Sequence, residues 1–390
     1  MTVEVVSLGC RLNLSESENL RGLLVSAEDL VVINSCAVTA EAVRQTRQAI
    51  RRARRANPHA RLIVTGCAAE VERDMLSAMP EVDGLVANAS KLEARAWNVP
   101  AALPRPSQSY TRAYVTVQNG CDHACTFCVI PQGRGASRSL GVAQVLHEIE
   151  RHLANGVREV VLTGVDLTSW GGDLPGAPRL GELVEAILAG FPQLERLRLS
   201  SLDGIEIDER LFAAISGEPR VMPHVHLSLQ HGHDMILKRM KRRHSRADAV
   251  SLVERLRRHR PDIAIGADLI AGFPTEDDAM HRANRAIIGE LGVVHGHVFP
   301  YSPRPGTPAA RMPQHDAALI KTRAAELRAE VGEVRGKWLA SLVGNPLKVL
   351  AERDETGHAE NFARVQLAPG TQAGSVVTIV PERVIEGLLA

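Results

Sequence analysis

The chain has few aromatic residues, little net charge and no long apolar run. Phe, Trp and Tyr make up 3% of its 390 residues, so extensive stacking of nucleic-acid bases is not expected. The formal net charge is +1, so affinity for nucleic acid has to come from local patches of charge. No apolar run approaches the length of a membrane span, and the first residues read as a strand and not as a leader. We therefore expect a cytoplasmic protein with no membrane partner.

The six cysteines form no compact disulfide framework, which suits a reducing compartment where thiolates bind metal. Three of them, Cys121, Cys125 and Cys128, follow a C-x3-C-x2-C spacing. A four-iron cluster held by three thiolates keeps one iron open, and that iron can chelate S-adenosylmethionine (SAM) while the cluster supplies a low-potential electron. Structural zinc is the alternative, with His123 as the nearby fourth ligand. The spacing favours radical chemistry over zinc.

Residues 1–98 alternate apolar runs with helical stretches, and this order predicts a flavodoxin-like parallel sheet with crossover helices. Cys10, Cys36 and Cys67 each follow one of these runs directly. Because the carboxyl ends of parallel strands meet at one edge, the three thiols should converge there. Judged without any other information, isolated cysteines after strands are more often buried small hydrophobes than ligands.

Two further domains are predicted, and the overall fold class is α/β. Residues 99–112 are rich in proline and small polar residues and should be a linker. Residues 113–335 hold six strand candidates separated mostly by helices, which predicts a partial (β/α)6 barrel, since a full eight-unit barrel usually takes about 250 residues. Residues 336–390 alternate short strands with glycine turns and predict a small all-β barrel.

The combination of motifs resembles the methylthiotransferase family of radical SAM enzymes over essentially the whole chain. The matching segments are SLGCRLNLSESE, VVINSCAVT, VTGCAAE, CDHACTFCVIPQGRG and GHAENF, the last within a segment similar to a TRAM domain. The resemblance implies that Cys121, Cys125 and Cys128 hold the radical-generating 4Fe-4S cluster. It implies a second 4Fe-4S cluster on Cys10, Cys36 and Cys67.

The chemistry that the resemblance implies is coherent. An aromatic C–H hydrogen is too weakly acidic for any side-chain base, so a carbon radical is needed to remove it. One cluster would make that radical from SAM, with an electron from a reducing donor. The other would carry a sulfide that is methylated by a second SAM and joined to the substrate carbon.

The resemblance also implies contacts to SAM at the ends of the barrel strands. The expected residues are Gly164, Asp166, Ser201, Gln230 and Gly272. This sequence departs from the family pattern at His231 and His233, where small residues are more usual, and it lacks a proline after the strand that contains Ser201. Both departures affect the details of cofactor contact and not the cysteines.

Three substrates are open within the family: tRNA carrying threonylcarbamoyladenosine, tRNA carrying isopentenyladenosine, and an aspartate of a small-subunit ribosomal protein. The segment CAVT before a basic helix is similar to the first branch, which inserts the methylthio group at C2 of N6-threonylcarbamoyladenosine at position 37. A different radical enzyme with an auxiliary cluster is disfavoured by the order of the domains. An alternative outside enzymes is a non-catalytic iron–sulfur RNA-binding or electron-transfer protein, and an electron carrier would normally close all four ligand positions of its cluster.

Basic residues indicate where the anticodon arm of tRNA would bind. On the helix from Ala40 to about Ala56 the apolar residues Val43, Ile50 and Ala53 form one stripe, and a strong positive face remains in solvent. The arginines of that face are Arg44, Arg47, Arg51, Arg54 and Arg55. Further candidates for RNA contact are Lys241, Arg242, His358, Asn361, Phe362 and Arg364, and Tyr301 or Phe362 could stack on one extruded base.

Overall fold

The computed structural model describes residues 3–100 and 111–390, so most of the predicted linker, residues 99–112, lies outside the described residues. The N-terminal sheet has four parallel strands in the spatial order β1-β2-β3-β4. The strands and helices of this domain are β1 (Glu4–Ser7), α1 (Arg11–Leu23), β2 (Leu30–Ser35), α2 (Ala40–Ala56), β3 (Arg61–Gly66), α3 (Cys67–Val71), α4 (Arg73–Ser77) and β4 (Gly84–Leu85).

The central strand β2 is buried at all six residues, as expected for a parallel strand covered on both faces. Val32 packs with residues of α1 on one face of the sheet, and Val31 and Ile33 pack with residues of α2 on the other. The predicted parallel sheet with crossover helices is confirmed. Its sequential strand order differs from the flavodoxin order 2-1-3-4-5, so the likeness to flavodoxin is in the alternation of strands and helices.

The second domain is a half-barrel of six parallel strand positions. Its elements are β5 (Arg112–Thr116), β6 (Gln118–Asn119), α5 (Ile130–Arg134), β7 (Arg138–Ser139), α6 (Val142–Ala154), β8 (Glu159–Thr163), α7 (Leu180–Gly190), β9 (Arg196–Leu199), β10 (Ser201–Leu202), α8 (Glu209–Gly217), β11 (His224–Gln230), α9 (Asp234–Arg239), α10 (Arg246–His259), β12 (Ala264–Ala271), α11 (Asp278–Leu291) and β13 (Val293–Pro300). Hydrogen bonds order the strands as β5-β8-β9 and β10-β11-β12-β13. Because β9 runs directly into β10, the two sheets form one curved wall, and the predicted (β/α)6 barrel is confirmed.

The long helix α12 (Ala317–Leu342) packs against β13 and leads into the third domain. The predicted boundary at residues 335 and 336 therefore falls within a helix. The strands of the third domain are β14 (Leu347–Ala351), β15 (Thr356–Ala359), β16 (Arg364–Gln366), β17 (Val376–Ile379), β18 (Val384–Ile385) and β19 (Leu388–Leu389), in the order β17-β14-β15-β16-β19-β18. This strand-rich domain has the all-β character that the sequence predicts.

All three domains meet around the half-barrel. Helix α1 lies along β5, where the Ser15 hydroxyl donates a 2.8 Å hydrogen bond to the carbonyl oxygen of Tyr114. From the third domain, the carbonyl oxygens of Lys348 and Ala359 accept hydrogen bonds from Arg196. Across the described ranges, no helix has both the length and the apolar character needed to cross a membrane.

Candidate cluster and radical site

Three thiols converge at the carboxyl edge of the N-terminal sheet. Cys10 lies between β1 and α1, Cys36 follows β2, and Cys67 is the first residue of α3 after β3. Gly9 has φ +97°, and a Cβ atom there would lie 2.6 Å from the Cys36 Cβ and 2.8 Å from its Sγ, so this approach requires glycine. Cys36 and Cys67 are buried and Cys10 is exposed. The predicted convergence is thus present, with one side open to solvent.

The other three thiols, which we call the radical trio, lie on the loop between β6 and α5. They belong to Cys121, Cys125 and Cys128. The backbone amides of His123 and Ile130 point at the sulfurs of Cys121 and Cys128 at 3.4 Å, and Nη1 of Arg242 lies 3.7 Å from the Cys125 Sγ. Donors aimed at sulfur stabilise the negative charge of a ligated iron–sulfur cluster and tune its reduction potential. The loop therefore carries three candidate ligands, with hydrogen-bond donors from its own backbone and from Arg242 beside them.

Burial keeps four of the six thiols protonated in the absence of metal: Cys36, Cys67, Cys121 and Cys128. It raises the pKa of Cys36 to about 11, that of Cys121 to about 12 and that of Cys128 to about 11. Burial also raises the pKa of the Cys67 thiol. Thiols ligate as thiolates, so binding of a cluster at either trio has to displace protons.

The spacing of the sulfurs fits clusters better than single zinc ions. In a tetrahedral zinc site with Zn–S bonds of about 2.3 Å, two sulfurs lie about 3.8 Å apart. In the part of the chain that the structure describes, no group of three potential ligands with all donor atoms within 4.8 Å contains more than one cysteine. The wider spacing of each trio leaves room for a multi-iron cluster with three thiolate ligands.

The two trios face each other across the contact between α3 and α5. A Cβ atom on Gly133 in α5 would lie 3.2 Å from the Cβ of Cys67. Nδ2 of Asn88 donates a 2.6 Å hydrogen bond to the carbonyl oxygen of Gly133 and lies 3.9 Å from the Cys67 Sγ. Two clusters held here would lie on neighbouring walls of a common space.

A buried ion network fixes the loops of both trios. The carboxylate of Glu16 accepts from Lys91 Nζ at 2.5 Å and from Arg134 Nη1 at 2.8 Å. Asn13, one turn earlier on α1, binds Arg134 and donates to the carbonyl oxygens of Leu8 and Ser35, which precede Cys10 and Cys36. The network ties α1 to α5. Sequence analysis missed it, although the three-residue spacing of Asn13 and Glu16 places both on one helix face.

Of the expected SAM contacts, Asp166 lies closest to the radical trio. Its Oδ2 is 3.7 Å from the Cys121 Sγ and 2.8 Å from Nε2 of His123. Burial alone would raise the pKa of Asp166, but the hydrogen bond from His123 lowers it below the usual value. A Cβ atom on Gly164 would lie 2.9 Å from Oε1 of Gln118, so this glycine allows the strand end to pack.

The other three expected contacts lie on neighbouring strands of the barrel. Ser201 in β10 pairs with His226 of the neighbouring strand β11. Gln230 is the last residue of β11, has φ +69° and lies beside a shift in strand register. Gly272 follows β12 and also has φ +69°. The residue after Gln230, His231, is buried and bonded to Glu276 and not directed at the cluster loop. As SAM contacts these residues remain predictions.

Arg242 requires a correction, because it does not lie on an RNA-binding surface. Its side chain is 7% exposed, and Nη2 donates 2.9 Å hydrogen bonds to Oδ2 of Asp203 and to the carbonyl oxygen of Ser228. Together with its approach to Cys125, this places Arg242 in the radical site. Its neighbour Lys241 is exposed, at φ +57°.

The five arginines that the sequence predicts for the basic face of α2 divide into two groups. Arg54 turns inward and donates to the carbonyl oxygens of Ala60 and Glu81 and to Asp83. The other four lie on the solvent side of the helix: Arg44, Arg47, Arg51 and Arg55. The amide of Ala40, at the start of α2, donates to the Ser302 hydroxyl just beyond β13. The basic face therefore begins beside the carboxyl end of the barrel.

The residues expected to stack on a base are not on an open surface. Tyr301 is 7% exposed and packs against Phe273. Phe362 points into the barrel, where Arg198 and Arg11 lie 4.8 Å and 5.2 Å from its ring centre. Its neighbour Asn361 is buried. His358 stacks on the Phe362 ring and bonds to Glu352, whereas Arg364 pairs with Asp354 and remains 43% exposed.

The barrel interior has polar groups that sequence analysis missed. Nε2 of His226 and Nδ1 of His297 lie 3.1 Å and 3.2 Å from Oδ1 of Asp268, and the two histidine rings are 4.5 Å apart. The sequence pattern that could have predicted these groups is the alternation of histidine or arginine with apolar residues. It occurs in HVHLSLQ, VVHGHVF and RLRL. In a barrel strand that alternation places the polar residues on one face.

Comparisons with known proteins support this interpretation of the site. The radical SAM superfamily matches residues 115–284, and the uncharacterized protein family UPF0004 matches residues 2–87. A solved radical SAM methyltransferase, TsrM from Kitasatospora setae, aligns with a TM-score of 0.55 at 17% identity over 76% of this chain and 68% of its own, which shows a common fold.

Relatives match along nearly the whole chain. The threonylcarbamoyladenosine tRNA methylthiotransferase MtaB of Rickettsia prowazekii (strain Madrid E) is 43% identical over 93% of this chain and 91% of its own length. The tRNA-2-methylthio-N(6)-dimethylallyladenosine synthase of Cereibacter sphaeroides is 34% identical over 96% of this chain and 94% of its own. With two cysteine trios, a half-barrel and full-length relatives, the chain belongs to the methylthiotransferase family of radical SAM enzymes.

Proposed function

We propose that this enzyme inserts a methylthio group at C2 of N6-threonylcarbamoyladenosine at position 37 of tRNA. Its cofactors are SAM and 4Fe-4S clusters, as in its family. The observation that carries the proposal is the 43% identity, over most of the chain, to a relative named for that substrate. A second relative with the same name, from Thermotoga maritima, is 32% identical over 90% of this chain and 86% of its own length.

We propose Cys121, Cys125 and Cys128 as ligands of one cluster and Cys10, Cys36 and Cys67 as ligands of the other. The first cluster, when bound, supplies the electron that cleaves SAM. Around it, Arg242 adds a positive charge beside Cys125, and Asp166 with His123 forms a polar wall beside Cys121. The contact between α3 and α5 keeps Cys10, Cys36 and Cys67 within reach of the same substrate.

We further propose that the anticodon arm binds across the outer face of α2 and Lys241, with Arg364 of the C-terminal domain as a more distant contact. The charge density of α2 supports this assignment, because four solvent-side arginines on one helix attract phosphates. The proposed domains are residues 1–98 for the second cluster, 113–335 for radical chemistry and 336–390 for a TRAM-like RNA-binding module. A tRNA-modifying enzyme that needs a reducing donor fits a cytoplasmic location.

Mass spectrometry of tRNA nucleosides tests the substrate. The tRNA is taken from a host that lacks methylthiotransferases but supplies both hypermodified adenosines, with and without this protein. Methylthio-threonylcarbamoyladenosine is the expected product. A methylthio-isopentenyladenosine product would support the proposed reaction but show that the substrate is the other hypermodified adenosine. Unchanged tRNA together with a modified ribosomal protein would overturn the proposal.

A further inference from the structure

Arg11 follows Cys10 in the chain and extends from the N-terminal domain toward the barrel interior. Its guanidinium lies 5.2 Å from the centre of the Phe362 ring. The side chain is partly buried, and the charged groups near it include Arg112, Glu159 and Asp268. The side chain therefore extends from the Cys10 loop to the polar interior of the half-barrel.

Among the described residues, Arg11 differs from the other arginines around Phe362 because no carboxylate lies within ion-pair distance of it. Glu159 forms ion pairs with Arg112 at 3.0 Å, Arg196 at 2.7 Å and Arg198 at 3.1 Å. Within the described ranges, no carboxylate or carbonyl oxygen is hydrogen-bonded to the guanidinium of Arg11, which has the Phe362 ring as its close contact. A partly buried charge without a counter-charge is unfavourable unless a ligand supplies the opposite charge.

Strand β11 links the radical trio to the polar interior of the barrel. Arg242, beside Cys125, donates to the carbonyl oxygen of Ser228 on β11. His226 lies two residues before Ser228 on β11, so the side chains of these two residues face the same side of the strand. It shares Asp268 with His297, whose side chain is 59% exposed. Asp268 is near enough for its charge to act on Arg11, so both side chains belong to the same part of the barrel interior.

We propose that Arg11 binds the carboxylate of the threonylcarbamoyl group and that Asp268, held by His226 and His297, accepts a hydrogen bond from its hydroxyl or N–H groups. This inference rests on the proposed function. The planar guanidinium matches a carboxylate with two parallel hydrogen bonds. A dimethylallyl group offers no acceptor and would leave Arg11 unpaired, and a site built around polar groups strongly rejects a ligand that cannot pair them. Arg11 would thus determine which hypermodified adenosine is accepted.

A cycle that changes the protein and the substrate separately tests this proposal. The variants are Arg11→Gln and a control, Arg95→Gln, whose side chain is 86% exposed. Each is measured on tRNA carrying threonylcarbamoyladenosine and on tRNA in which its carboxylate is a methyl ester. For the unaltered enzyme, the ester should lower kcat/KM by about 100-fold, the size expected for a buried charged hydrogen bond. Arg11→Gln should lose a similar factor on the natural tRNA and show little preference between the two.

Iron and sulfide content is measured first, because Arg11 adjoins Cys10. If Arg11→Gln loses iron, its activity no longer tests the proposal, but the comparison of the two substrates on the unaltered enzyme does. Equal rates of the unaltered enzyme on the acid and on the ester would overturn the proposal. A full preference for the acid retained in Arg11→Gln would overturn it too. If the unaltered enzyme forms no methylthio product on the natural tRNA, the proposed function itself is wrong.

Discussion

Glu16 carries a single negative charge between two buried cations, Lys91 and Arg134. The side chains of all three are no more than 3% exposed. Burial alone would raise the pKa of Glu16, but Lys91 and Arg134 lower it below the usual value. The carboxylate therefore stays ionised at neutral pH and compensates charge that the surrounding protein cannot solvate. Its contribution to stability is present above its ordinary pKa and is lost as the pH falls through the lowered one.

Glu16→Gln should destabilise the N-terminal domain by about 3–5 kcal/mol, since it leaves two buried cations without a counter-charge. The measurement is the thermal unfolding midpoint of the metal-free protein, which should fall by several degrees. Glu41→Gln is the matched control, because the Glu41–Arg44 pair is about half exposed. Equal midpoints for the two variants would show that the network does not stabilise the fold.

At the scale of elements, α11 and α12 are joined to the barrel by Glu276. This buried carboxylate lies 3.2 Å from Nε2 of His231 and 3.4 Å from Nδ1 of His281, and Arg323 of α12 contacts both its backbone and its side chain. Burial alone would raise the pKa of Glu276, but these partners lower it to about 2. The junction should therefore respond to acid.

A folded-state pKa below the ordinary value near 4.5 means that Glu276 contributes stability above pH about 4.5 and loses it as the pH falls toward about 2. Glu276→Gln should lower the unfolding midpoint at pH 7, and its difference from the unaltered protein should be smaller at pH 3. Glu254→Gln, at an exposed position on α10, serves as the control. A difference that grows on acidification would contradict the assignment.

Helix α2 is the element proposed to hold tRNA phosphates. Changing Arg47, Arg51 and Arg55 to alanine should weaken tRNA binding, and the slope of log affinity against log salt should fall by about one for each phosphate that the helix no longer binds. Filter binding at several salt concentrations measures both. A control variant removes the same charge at three exposed arginines elsewhere: Arg95, Arg158 and Arg210. Identical salt dependence for the two triple variants would place the RNA on another surface.

At the scale of the whole molecule, the sequence predicts the architecture better than the contacts between domains. The structure contains the six strands that the sequence predicts for the barrel domain. They were predictable because each is a short apolar run between turns or helices. The edge where Cys10, Cys36 and Cys67 converge follows from strand direction alone. Local pattern is sufficient for both, since neither depends on a distant partner.

Contacts between distant segments were not predictable. Nothing in the segment KRMKRRH, residues 238–244, shows that Arg242 is buried against Asp203, 39 residues away in the chain. Phe362 follows a polar turn and looks available to RNA, yet arginines from two other domains surround its ring. In each case the partner is supplied by the tertiary fold, which periodicity and composition do not encode.

The central claim is that the two cysteine trios perform different steps of one reaction. Its most direct test is anaerobic assay of Cys125→Ala and Cys36→Ala with reductant, SAM and tRNA carrying threonylcarbamoyladenosine, quantifying 5′-deoxyadenosine and methylthio product in the same samples. We expect Cys125→Ala to form neither product, and Cys36→Ala to form 5′-deoxyadenosine without the methylthio nucleoside. Methylthio product from Cys36→Ala, or 5′-deoxyadenosine from Cys125→Ala, would contradict the division of labour between the two trios.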